Sequence, residues 1–231
     1  MKKNKALTSS QAHKLYTGDG LGVFTLKLGL GGILMYSASI AFFLLMRLLS
    51  VGSFDDAWKE ISGEVVVDTF LTVDTSIILA VTELINYDKQ FPGGKYFRTV
   101  RGGFETYRSM KNAALACRIM ALIIVVAFGT LIDITGALKL KNGPTGCLFI
   151  GTFLLLGVGL LNFTGLISKL NVRGGVSVIA IMAAGMSGII IHDVCNGNPI
   201  VALIISIVTV PLILISQKKL LDNYRKNYWN S

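Results

Sequence analysis

Apolar runs about as long as a membrane is thick recur along this chain, with short polar stretches between them. A helix needs about 20 mostly apolar residues to cross a hydrocarbon core about 30 Å thick. Residues 28–49, 113–136, 147–168, 175–192 and 199–216 each read as such a helix. A sixth run, residues 62–86, is equally long but carries Glu64, Asp68, Asp74 and Glu83.

The period of that sixth run decides how to read its acids. At about 100° per residue, Glu64, Asp68, Thr69, Thr72, Thr75, Ser76, Thr82 and Glu83 fall on one stripe about 140° wide, and Phe70, Val73, Ile77, Ala80, Val81 and Leu84 fall opposite. This is an amphipathic helix. A helix lying on the surface of a bilayer carries Lys and Arg on its polar face; this stripe has none. The expectation is therefore a spanning helix whose polar side faces other helices. Asp74 stands apart: it lies off the stripe, ten residues from Glu64, which is about 15 Å along a helix and near the middle of a membrane.

Loop charges test the count of spans, because Lys and Arg are retained on the cytoplasmic side during insertion. Six spans with both termini inside leave 16 basic residues in the cytoplasm and 3 outside. Five spans give at best 13 against 6. The sequence predicts an all-α, polytopic membrane protein: one transmembrane domain over residues 1–231, a bundle of about six helices, both termini cytoplasmic, and a basic cytoplasmic loop at 87–112. Outer loops are expected to be short. The first apolar run is too long for the core of a cleavable signal, about 7–15 residues, and reads as a retained anchor.

Composition agrees. Hydrophobic residues make up 52% of the 231 and charged residues 15%, against about 25% charged in soluble domains; mean hydropathy is +0.64. The net charge of +9 is accounted for by residues flanking the spans and belongs to no nucleic-acid-reading motif, so no nucleic-acid partner is expected.

Charges inside spans call for partners, because an unpaired ion in a membrane is costly. By depth, Arg47 matches Glu64 or Asp68, and Arg118 matches Glu83. The stripe Glu64, Asp68, Thr72, Thr75, Ser76 and Glu83, with Asp74, is the candidate ion path. In the long loop, Phe97, Val100, Phe104 and Tyr107 form one face and Arg98, Arg101 and Arg108 another. That pattern suits docking on lipid phosphates or on a partner. Ala180, Ala184 and Gly188 recur every four residues in the fifth span, a spacing that lets another helix approach closely. The glycine cluster at 20–32 reads as close helix contact or a flexible start to the first span.

Catalytic and metal motifs are not apparent. Gly185–Gly188 reads "GMSG" and resembles the serine motif of rhomboid proteases, but His192 follows Ser187 on the same helix, where the base of that family lies on a later one. His192 and Asp193 are too few for a zinc site. Cys147 and Cys195 both fall at the outer ends of spans, which leaves a disulfide geometrically open; Cys117 is expected to be packed. No cofactor and no enzymatic activity are expected. The sequence leaves two readings: a non-enzymatic subunit or interaction protein of a larger transport or secretion assembly, or a small channel or transporter with an acidic path along the second span. Its partners are the bilayer and other membrane subunits or copies of itself. Lys-rich tails and compact loops fit a bacterial inner membrane.

Overall fold

The computed structural model describes residues 7–61, 74, 97, 102–135, 151–152, 155–160, 176, 179, 183, 190–191, 194 and 198–226. Every regular element among them is an α-helix: α1 (Ser9–Thr17), α2 (Leu21–Val51), α3 (Phe54–Ile61), α4 (Gly103–Ile134) and α5 (Pro199–Lys226). Three of these, α2, α4 and α5, are long and apolar enough to cross a membrane.

Each long helix extends past its expected span. α2 starts seven residues before the predicted 28. α4 begins directly after Gly102 and takes in residues 103–112 of the expected loop. α5 runs on to Lys226, ten residues beyond the predicted 216. Hydrophobicity marks only the stretch a membrane would cover, and the helical backbone has no reason to stop where the apolar residues do. Gly102 sits at φ 77, a left-handed conformation that glycine takes without steric cost, and it sets where α4 can start.

Two short helices were not expected. α1 is fixed by a reciprocal capping box: the Gln11 amide donates to Thr8 Oγ1 at 3.3 Å, and the Thr8 amide donates to Gln11 Oε1 at 3.0 Å. Gly18 then ends it at φ 90. α3 occupies the expected outer loop. It carries Asp55 and Asp56 in its first turn, where carboxylates complement the helix dipole. Its Ala57 is buried, and Trp58 packs on the main core beside Phe54.

α2 packs chiefly on α4. Phe24 meets Arg118, Gly29 faces Ile124, and Tyr36 meets Phe128 edge to face. Residue numbers rise together, so the two helices run in the same direction. α5 runs the other way: Tyr224 stacks on Tyr107, and Gln217 Nε2 donates to Asn112 Oδ1 at 3.1 Å. The core between α2 and α4 holds Phe24, Leu28, Tyr36, Ile40, Ala121, Leu122 and Val125, joined by Val158. Away from it, Leu34, Phe42, Leu49, Met120, Leu131, Ile134, Leu203, Ile207 and Leu214 are exposed. Helices apolar on both their packed and their open sides are suited to a hydrocarbon solvent.

Candidate functional site

The described charges divide by end. α1, the starts of α2 and α4 and the close of α5 carry Lys14, Lys27, Arg108, Lys111, Arg118, Lys218, Lys219, Arg225 and Lys226, against Asp19, Glu105 and Asp222. The opposite end has Arg47 and Lys59 against Asp55, Asp56 and Asp133.

The basic end is also the most tightly organised. Tyr107 of α4 lies at its centre, with Tyr16 of α1 edge-on at 5.9 Å, Phe97 at 6.1 Å and Tyr224 of α5 stacked at 3.7 Å. Phe104 stacks on the far side of the group, 6.5 Å from Tyr224. Two cations stand on these rings: Lys111 Nζ is 4.6 Å from the Tyr16 centroid, and the Arg225 guanidinium is 5.6 Å from that of Phe104. Ala12, Met110 and Leu221 complete the cluster. A hydrogen bond of 2.6 Å between the Ser9 and Ser109 hydroxyls ties α1 to α4 at the edge. α1 is thus held by aromatic packing, cation–π attraction and a hydroxyl pair.

The joint between α1 and α2 is equally specific. His13 is buried, its Nδ1 2.6 Å from the Asp19 carbonyl oxygen and 3.1 Å from Thr17 Oγ1. Thr17 Oγ1 donates to the His13 carbonyl at 2.9 Å. The His13 ring lies 4.9 Å from that of Phe24, and Arg118 sits over Phe24 at 5.9 Å. Lys27, one position before the predicted first span, reaches back to Asp19 Oδ2 at 2.7 Å.

A second candidate is at mid-bundle. Asp74 is 4% exposed, with helical backbone, and its carboxylate accepts a hydrogen bond from Ser39 near the middle of α2. Its Oδ2 has no partner among the described residues. Periodicity had set Asp74 off the polar stripe, yet this acid is buried against the bundle.

Of the other expected site residues, Arg47 is half-buried over the Phe43 ring at 5.5 Å, and Arg118 is half-buried as described. Arg108 is exposed, with Glu105 Oε2 at 4.0 Å. Cys117 is a half-buried free cysteine packed on the main core. Glu64, Asp68, Thr72, Thr75, Ser76, Glu83, Arg98, Arg101, Ala180, Ala184 and Gly188 lie outside the described residues, as do His192, Cys147 and Cys195. Within the glycine cluster, Gly29 is buried with Ile124 Cγ2 3.5 Å from where a Cβ would stand, so close helix contact is realised there.

Sequence reasoning passed over His13, Tyr16, Lys111 and Tyr224. The capping box "TSSQ" at 8–11 was the signal for α1, the helix that carries His13 and Tyr16 and places Tyr16 under Lys111; Tyr224 joins the group through Tyr107. It also passed over Thr209, buried in α5 with no partner for its Oγ1 among the described residues. Two positions on, Pro211 supplies no N–H to the Ile207 carbonyl.

Together these features define an all-α, membrane-embedded protein with a packed, basic end. Comparison with family models, with curated proteins and with solved structures finds no match to the chain.

Proposed function

We propose that this protein is a six-span subunit of a larger membrane assembly, without enzymatic activity of its own, with both termini in the cytoplasm of a bacterium and the bundle in its inner membrane. Helix direction supports the count. α2 and α4 are parallel, which supports a returning span between Gly52 and Gly102, and the helical Asp74, beside Ser39, fits the middle of that span. α4 ends and α5 begins at the same end. In between, Gly151 faces Val126, about 12 Å down from the end of α4, while Gly159 faces Leu212 and Ile213, about 20 Å down α5. That descent fits a fourth span, and a fifth returning before Pro199 completes the proposed count. The excess of cations on the end holding α1 supports the orientation.

The observation that carries the subunit reading is the basic end itself. The Arg225 guanidinium stands on the stacked rings of this platform, and Lys14, Arg108, Lys218 and Lys226 are exposed on the same end, all on helices. Ordering a long side chain is a cost of association, and a platform that orders its cations beforehand suits an acidic cytoplasmic partner. Purification of the tagged protein from its native membrane in mild detergent, followed by mass analysis, tests this. Stoichiometric foreign subunits are expected, and Lys218→Gln with Arg108→Gln is expected to reduce their yield. A clean homo-oligomer counts against the assembly.

One observation favours a channel or transporter instead: the buried Asp74 carboxylate with an unpartnered oxygen. An intramembrane acid of this kind marks ion pathways in many membrane proteins. Under that reading Asp74→Asn abolishes flux in proteoliposomes while expression stays normal; unchanged flux removes it.

A further inference from the structure

His13 is a titratable group buried at the joint of three helices and is 3% exposed. The carbonyl of Asp19, 2.6 Å from Nδ1, can only accept, so Nδ1 carries the hydrogen and a neutral ring leaves Nε2 bare. In that form His13 pins the Gly18–Gly20 turn against the end of α1. Among the described residues the charged groups around it are mostly of one sign. From α4, Lys111 and Arg118 both act on the ring. From the turn, the Asp19 carboxylate is the one acid among the described residues that acts on it, and Lys27 of α2 engages that carboxylate at 2.7 Å. On α1 itself Lys14 is exposed.

A proton on Nε2 would therefore place a third cation beside Lys111 and Arg118, while the Asp19 carboxylate that acts against them is already engaged by Lys27. We propose that α1 is an acid-released strap: protonation of His13 undocks it from α2 and α4 and uncovers the Tyr16 side of the aromatic platform. Burial holds the His13 imidazole below its ordinary pKa, and Lys111 and Arg118 push the same way, while the Asp19 carbonyl and carboxylate act against them. The docked state thus takes up its proton at lower pH than the released one. Docking is at full strength above the ordinary imidazole value of about 6.5 and weakens as pH falls below it. Between the two values the released fraction rises about tenfold per pH unit, then levels off. The device concerns the same platform as the proposed partner site, but it stands on the α1 joint and holds whether or not a partner binds.

Hydrogen exchange of the whole protein in lipid nanodiscs, read at the Ala12–Thr17 amides and corrected for intrinsic exchange, tests the strap between about pH 7.5 and about pH 5. In the wild type, opening of these amides is expected to rise below about pH 6.5, while the amides of the α2–α4 core stay flat. His13→Gln is expected to remove the rise. Lys111→Gln, which takes away one opposing cation, is expected to reduce its total size. The proposal is overturned if wild-type α1 is equally protected at both pH values, or if His13→Gln retains the rise. Should His13→Gln fail to dock α1 at neutral pH, an undiminished rise in Lys111→Gln overturns it instead.

Discussion

Tyr107 of α4 and Tyr224 of α5 stack nearly face to face, 3.7 Å between centroids with 11° between planes, and this pair joins the carboxyl-terminal helix to the platform that receives α1. Tyr107 also touches Tyr16 and Phe97, so one side chain holds contacts from three directions. Removing it should cost more than removing any ring at the edge.

Tyr107→Ala is expected to destabilise the protein by about 3 kcal/mol, the range for emptying a buried aromatic site. Phe104→Ala, half-buried at the edge, should cost about 1 kcal/mol. Thermal unfolding in detergent, followed by tryptophan fluorescence, checks the order. Equal losses would mean that the ring stack is not a unit.

Thr8→Ala removes the Oγ1 that accepts from the Gln11 backbone amide, one half of the α1 capping box, while the backbone N–H of residue 8 can still donate to Gln11 Oε1; the change is expected to cost about 1 kcal/mol. The loss should be local. Exchange protection falls at the first turn of α1, while the midpoint for the α2–α4 core is unchanged.

Gly159 and Gly29 are packed glycines with different room. A Cβ at Gly159 would stand 3.1 Å from Ile213 Cγ1 and 3.3 Å from Leu212 Cδ2, whereas at Gly29 the nearest atom is 3.5 Å away. Gly29→Ala should be neutral or slightly stabilising, because alanine favours helix by about 1 kcal/mol over glycine. Gly159→Ala should lose that gain to the shift it forces on α5. Comparing the two melting temperatures reads the difference directly.

Asp74→Asn keeps a partner for Ser39 and removes a buried carboxylate whose second oxygen is unpartnered among the described residues. Replacing such a charge is neutral or stabilising in many proteins, so unfolding in detergent should occur at the same temperature or a few degrees higher. A marked drop would mean that the carboxylate holds an ion or a partner in place.

Much of this protein was legible in its sequence, and for a physical reason. A membrane-spanning helix has to be apolar over its length, so α2, α4 and α5 were marked by composition alone, and the uneven loop charges predicted which ends gather cations. The same property blinds the reading to ends and neighbours. Helices that are apolar all round carry no stripe to say which face is packed, so that Gly29 meets Ile124 and Tyr36 meets Phe128 was decided by tertiary structure. Lys27, at the edge of the first apolar run, gains its partner because the turn at Gly18 brings Asp19 within 2.7 Å of it. Asp74 was singled out by depth, and its burial against Ser39 was decided by tertiary structure, since periodicity had set it off the polar stripe. The aromatic platform was least visible of all. Its rings sit at positions 16, 97, 104, 107 and 224, and only the folding of opposite ends of the chain onto one end of the bundle makes them neighbours.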